Sequence, residues 1–245
     1  MAAFYGRAPG VRQLQRPYDF RVSTSPAFDL VAFDLYGTLL DISGLAARMR
    51  PITGERSTDL LARWRTAQLE RTWRLNRERR YEPWDIVTAA ALEEAAPDLP
   101  PDSRVRLSEL WLTVPAFSDA AATLADARAL GVRRAVLSNG TRAMIAAALE
   151  AGGLEVDRIL SADDVGVYKT DPRVYALLDS EADRGRVLLV SSNGWDADGA
   201  RREGRTVAWI DRGGEPPATP PNYRVRSLAE VLGLIRGGTD SVGPA

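Results

Sequence analysis

Short apolar runs that stop at a polar residue recur along the chain, with helical stripes between them. Leu30, Val31, Ala32 and Phe33 stop at Asp34, and Gly37-Thr38 follow. Four consecutive apolar residues ahead of a turn predict a strand buried on both faces of a parallel sheet. From residue 43 to about Pro115 the period becomes helical. Residues 57–79 set Leu60, Trp64, Ala67 and Arg71 on one stripe and Leu61, Arg65, Gln68 and Thr72 on the next, with Ser57 as the expected N-cap. Pro83 predicts the first turn of a second helix, and residues 103–112 predict a third. No strand pattern falls between Asp41 and Pro115, so a helical module is expected after the first strand. Alternation then resumes. Helices are expected at 118–130, 141–151, 172–183, 196–203 and 227–236, and strands at 132–137, 158–161, 187–190 and 206–210. Such spacing predicts an α/β fold, a doubly wound parallel (Rossmann-like) sheet core with an inserted helical cap. The core is expected at 27–42 and 116–236 and the cap at 43–115. Residues 1–26 are expected to be a loosely ordered leader and 237–245 a flexible tail.

Composition narrows the chemistry. The 245 residues carry a net charge of −1, which gives no electrostatic reason for nucleic acid or an anionic membrane as partner. No apolar stretch reaches the roughly 18 residues of a membrane span. The chain has no cysteine and no histidine. Disulfides, a thiol nucleophile and a thiolate metal site are excluded, together with the usual general base and the commonest metal ligand. Acid–base work must fall to carboxylates, lysine or tyrosine. A cysteine-free chain fits a reducing, cytoplasmic setting.

Candidate chemistry gathers at the predicted strand ends. Asp34 ends the first strand, Ser138-Asn139-Gly140 the second, and residues 191–196 (SSNGWD) the strand at 187–190. Tyr168-Lys169 follows the short strand at 158–161. Taken singly, each is a polar turn or a helix cap. Together they would converge on the carboxyl edge of one sheet, where open α/β folds bind their ligands. A carboxylate held there by a rigid strand is placed to act as a nucleophile.

FDLYGTL, LSNG, VYKTDPRVY and SSNGWDA resemble the four motifs of the haloacid dehalogenase superfamily, in its 2-haloacid dehalogenase branch, and WRTAQLERTW at 64–73 is similar to that branch's helical cap. The phosphatases of the same superfamily carry a second Asp two residues after the nucleophile and a metal-binding acid after the last core strand. Tyr36 and Ser191 stand at those positions here. The resemblance therefore implies no cofactor and no metal, because halide needs no proton to leave, whereas an alkoxide does. It implies Asp34 as the nucleophile that displaces halide from a small L-2-haloacid with inversion, giving an aspartyl ester that water hydrolyses to a D-2-hydroxy acid. Asp196, with Asn193 and Ser191, would activate the water. Lys169 would offset the repulsion of the two acids. Thr38 would hold Asp34 in line, and Tyr175 would orient a carboxylate or Lys169. Ser138, with backbone N–H groups near Leu35 and Tyr36, would bind the substrate carboxylate. Arg65 and Asn139 would receive the halide. Tyr36, Leu69, Trp84 and Trp195 match positions that wall the pocket. A homodimer is implied as well.

The chain departs from the pattern at three points used below. Thr170 stands where Pro usually follows the lysine, with Pro172 two places on. Arg71 stands where Tyr is frequent, and Trp84 where Phe is frequent; its larger ring would narrow the pocket toward short acids. The alternatives are a fluoroacetate-type defluorinase, a phosphatase of the same fold and a non-catalytic binding module. The phosphatase lacks its acids at Tyr36 and Ser191. The binding module would have no need of Asp34, Lys169 and Asp196 together.

Overall fold

The structure is a computed structural model and describes residues 26–237. The expected leader and tail lie outside the described residues except for Pro26 and Gly237.

Strand β1 (Leu30–Phe33) is buried along its whole length. Alternate side chains of a strand face opposite ways. Val31 and Phe33 accordingly join one apolar cluster, while Leu30 and Ala32 join the other. Both faces must therefore be covered, as a parallel sheet requires. After β1 come four helices: α1 (Leu45–Thr53), α2 (Ser57–Glu78), α3 (Trp84–Ala95) and α4 (Pro101–Glu109). The chain then returns through α5 (Ala120–Ala129), β2 (Arg133–Ser138), α6 (Arg142–Ala151), β3 (Arg158–Ser161) and α7 (Pro172–Ala176). β4 (Val187–Ser191), α8 (Gly194–Arg202), β5 (Thr206–Ile210), β6 (Tyr223–Val225) and α9 (Leu228–Ile235) complete it. The strands form one sheet in the order β3-β2-β1-β4-β5-β6, with every pairing parallel. The order reverses between β1 and β4, so the crevice for a ligand opens beyond Phe33 and Ser191.

The inserted helices pack through large rings. Trp64, Trp84 and Trp111 are fully buried. The indole N–H of Trp64 donates to the Thr88 carbonyl (2.8 Å) and the Gln68 amide to the Thr88 hydroxyl (3.0 Å), which locks α2 to α3.

Some elements differ from expectation. Ser57 is the first residue of α2 rather than its cap, because a 3-10 turn (Gly54–Arg56) runs straight into the helix and the Ser57 hydroxyl donates back to the Gly54 carbonyl. Pro83 is the N-cap of α3, one place before its first turn. The helix expected at 172–183 is α7 followed by a 3-10 turn (Leu177–Ser180), in which the Ser180 hydroxyl donates to the Leu177 carbonyl. β6 is an added edge strand of three residues, too short to carry a period.

Candidate active site

The peptide N–H of Asp34 donates to the Val190 carbonyl (2.9 Å), so the first residue past β1 is still tied to β4. The chain then winds tightly. Thr38, Leu39 and Leu40 all donate their N–H groups to the Leu35 carbonyl. Gly37 makes the turn with φ +91°, and a Cβ there would lie 3.3 Å from the Ser192 hydroxyl. This winding brings Thr38 back under Asp34, where its hydroxyl donates to Asp34 Oδ2 at 2.9 Å.

Two more donors close on the same carboxylate. Asn193, the N-cap of α8, donates from Nδ2 to Asp34 Oδ2 at 2.8 Å. Lys169 donates from Nζ to Asp34 Oδ1 at 3.0 Å and to Asp196 Oδ2 at 2.8 Å. The ammonium is 1 % exposed and Asp196 is 0 % exposed. Burial works against the lysine's charge, yet the Asp196 and Asp34 carboxylates outweigh it and hold Lys169 above its ordinary value. Burial raises Asp196, with Lys169 pulling the other way. Tyr175 donates to Asp196 Oδ1 at 2.8 Å, and burial lifts its own phenol well above the usual range. Gly199 is needed beneath it, since a Cβ there would meet the Tyr175 hydroxyl at 2.5 Å.

Thr170 and Pro172 leave this arrangement whole. Pro172 starts α7, and the Asp171 carboxylate caps that helix by accepting the Arg173 N–H. The Lys169 N–H donates to Asn139 Oδ1 (2.8 Å), which anchors the lysine to the loop after β2 and leaves the Asn139 amide hydrogens unspent. Ser138 lies beside it and accepts the Gly140 N–H at 3.2 Å.

The helical insertion closes over these groups. Arg65 of α2 is partly buried, 5.8 Å from the Trp111 ring centroid, with one long bond to Gln68 Oε1 (3.4 Å). Burial pulls its guanidinium below the ordinary value, and Asp34 and Tyr36 pull it back. Tyr36 donates to the Trp111 carbonyl (3.1 Å). Between insertion and sheet lies a cavity of about 10 Å³, lined by Asp34, Tyr36, Arg65, Trp84, Ser138, Asn139, Gly140, Lys169 and Trp195. That is room for about one water-sized sphere. Larger grooves lie on the outer surface, away from the acid pair.

Of the residues proposed from sequence, Asp34, Tyr36, Arg65, Trp84, Ser138, Asn139, Lys169 and Trp195 meet at this cavity, and Thr38, Asn193, Asp196 and Tyr175 hold its floor. Leu69, Ser191 and Leu35 are not among the lining residues. Leu69 does not line the cavity; it lies one position past Gln68, whose turn of α2 faces α3. The Ser191 hydroxyl accepts the Asn193 N–H (3.2 Å) and so steadies Asn193. Leu35 contributes its carbonyl to the turn, and its side chain is buried in the core. Sequence reasoning missed Trp111, Gly199 and Asn76. Asn76 of α2 clasps the Tyr168 backbone from both sides (3.0 Å each), while the Tyr168 hydroxyl donates to the Glu82 carbonyl at 2.6 Å. The insertion is thus latched to the residue before Lys169.

The site does not suit a magnesium ion. The ammonium of Lys169 fills the space between the two carboxylates, Tyr36 and Ser191 supply no acid, and among the described residues no cluster of three or more acids forms. Among the described residues no helix is long and apolar enough to cross a membrane.

The chain is similar to known proteins in sequence and fold. A family model described as haloacid dehalogenase-like hydrolase matches residues 28–204. An (S)-2-haloacid dehalogenase of Pseudomonas sp. (strain YL) is 37% identical over 216 residues, which is 84% of this chain and 93% of that protein. (S)-2-haloacid dehalogenase 4A of Burkholderia cepacia is 36% identical, over 83% of this chain and 93% of its own length. Among solved structures, L-2-haloacid dehalogenase of Xanthobacter autotrophicus with chloropropionic acid covalently bound superposes with a TM-score of 0.81 at 27% identity, covering 86% of this chain and 99% of the other.

Proposed function

The chain belongs to the haloacid dehalogenase-like hydrolase family, and we propose from that premise that it hydrolyses the carbon–halogen bond of short L-2-haloacids to D-2-hydroxy acids without a metal. The observation that carries this reading is the Lys169 ammonium, bonded at once to Asp34 and Asp196. A fixed cation between two carboxylates keeps one free to attack carbon and the other to take up a proton.

In the first step an Asp34 oxygen bonds to the reacting carbon from behind. The carbon–halogen bond breaks, and its electron pair leaves with the halide. The Lys169, Thr38 and Asn193 donors hold the attacking carboxylate in one orientation, so little reorganisation is needed. Ser138 and the backbone N–H groups near Leu35 and Tyr36 receive the substrate carboxylate. Arg65, weakly hydrated and permanently charged, receives the halide together with the Asn139 amide. In the second step water adds to the ester carbonyl of Asp34 and its proton passes to Asp196, whose burial raises its proton affinity toward the range of a useful base. The ester C–O bond at the carbonyl breaks, the leaving alkoxide takes back the proton held by Asp196, the hydroxy acid leaves, and Asp34 keeps the oxygen of water, losing that water's second proton to return to a carboxylate.

We assign the protein to the cytoplasm on its lack of cysteine. A homodimer formed through the insertion fits the exposed Ile86 and Val105, which stand at an open groove of about 530 Å³ between α3 and α4. The fluoroacetate alternative is not favoured, since the relatives reported above are named for 2-haloacids. The phosphatase alternative lacks acids at Tyr36 and Ser191.

Halide release from each enantiomer of 2-chloropropionate, with and without EDTA, tests the reading. Chloride from the L form alone, untouched by EDTA and accompanied by D-lactate, is expected. No chloride from either form, with magnesium-dependent release of phosphate from an ester, would refute it.

A further inference from the structure

Trp84 opens α3, is 1 % exposed and borders the cavity. Its indole Nε1, out of reach of solvent, has no acceptor among the described residues. Buried polar groups nearly always find a partner, and leaving a donor without one is costly. The Trp111 indole shares this condition, but Trp111 does not line the cavity. Trp84 therefore both borders the cavity and carries a buried indole donor without an acceptor among the described residues. Phenylalanine, frequent at this position in the resembling family, would have the ring without the N–H.

The other lining groups indicate which part of a molecule it meets. Asp34 takes the reacting carbon, Ser138 the carboxylate, and Arg65 with Asn139 the halide. Tyr36 and Lys169 already bond within the protein. Trp84 and Trp195 remain for the third substituent of the reacting carbon, its side group, and of the two only Trp84 carries a buried donor without an acceptor among the described residues.

We propose that Trp84 is a specificity residue whose indole N–H receives a neutral oxygen on the substituent of the reacting carbon, so that the enzyme favours 2-haloacids bearing a hydroxyl one carbon further on. This rests on the dehalogenase reading above. The hydroxyl's own proton can bond within the substrate to its carboxylate, through a six-membered ring, so the cavity need supply only the donor. A carboxylate in place of the hydroxyl would bring a charge that no free cation on this wall balances. A methyl group of the same size would leave the N–H without an acceptor, and sites built around a substrate hydroxyl discriminate strongly against such analogues.

The test compares L-2-chloro-3-hydroxypropionate with its isostere L-2-chlorobutyrate, by kcat/KM for chloride release. The wild type is expected to prefer the hydroxy acid by about tenfold, one hydrogen bond's worth. Trp84→Phe is expected to bring that ratio to about one, whatever the change in absolute rate, because the ring remains and only the donor is lost. A wild type with no preference, or a Trp84→Phe variant that keeps it, would overturn the inference while chloride release from L-2-chloropropionate left the dehalogenase reading standing. The wild-type comparison decides the matter even where the variant fails to fold. Absence of chloride from all three acids would overturn both.

Discussion

The two walls of the cavity are finished to different degrees. On the sheet side the charged side chains are bonded to each other. Asp34 accepts from Thr38, Asn193 and Lys169, and Asp196 accepts from Lys169 and Tyr175. On the helical side Arg65 has one bond, 3.4 Å long, to Gln68, and the Trp84 indole has no acceptor among the described residues. Neighbouring polar groups of the same helices are fully engaged: Gln68 with Thr88, Asn76 with Tyr168, Arg71 with Glu82 and Glu94. On the proposed mechanism, the sheet side fixes the nucleophile before substrate arrives. The helical side keeps donors in reserve for the groups a substrate brings. Preorganisation of this kind lowers a barrier because the protein, rather than solvent, has already been arranged around the reacting charge.

If that division is right, damage to the sheet side should stop chemistry and damage to the helical side should weaken it. Asp34→Asn removes the nucleophile and should lower kcat for halide release by about 10⁴-fold or more, with an unchanged circular dichroism spectrum. Residual turnover near one-hundredth of wild type would contradict the assignment. Lys169→Met leaves two buried carboxylates without their cation and should cost about 3–5 kcal/mol of stability, read from urea unfolding, alongside loss of turnover. An unfolding midpoint equal to wild type would show that the ammonium is not the group holding the acids together. Arg65→Ala should lower kcat/KM by about 10²-fold while leaving the unfolding midpoint near wild type, because its bonds within the protein are few. An effect on stability larger than that of Lys169→Met would reverse the comparison. Asn76→Ala opens the latch on Tyr168 and should lower kcat/KM by at most about 30-fold, since its two side chain–backbone bonds are worth about 1 kcal/mol each. A kcat loss as large as that of Arg65→Ala would move Asn76 from the latch into the chemistry.

The sheet side was also the more legible in sequence. The four residues before Asp34 and the five of β4 are apolar runs ending in polar ones, and a run of that kind fixes which residue stands at the sheet edge. Asp34, Ser138, Lys169 and Asp196 could be named because each stands on or just past a strand or in a short motif. The helical side was legible only in part. Stripes on α2 set Arg65 beside Gln68, yet they do not say which of two adjacent stripes meets the sheet; Leu69 lies on neither stripe, was named from the resemblance, and does not line the cavity. Ser191 was assigned to the water from its motif, whereas its hydroxyl is bonded to the Asn193 backbone. Asn76 and Tyr168 are 92 positions apart, and Tyr36 and Trp111 are 75 apart. Contacts at that separation arise from packing, and no local period announces them. β6 escaped because three residues beside a proline-rich loop carry no period at all.

Asp34 as the atom donor to product is the central claim. A single turnover in heavy-oxygen water, with enzyme in excess over L-2-chloropropionate, tests it through the masses of the product and of the peptide that contains Asp34. The account predicts light oxygen in the new hydroxyl of lactate and one heavy oxygen in the Asp34 carboxylate. Heavy oxygen in the lactate hydroxyl on that first turnover, with Asp34 unlabelled, would mean that water attacks the substrate directly and that Asp34 is not the nucleophile.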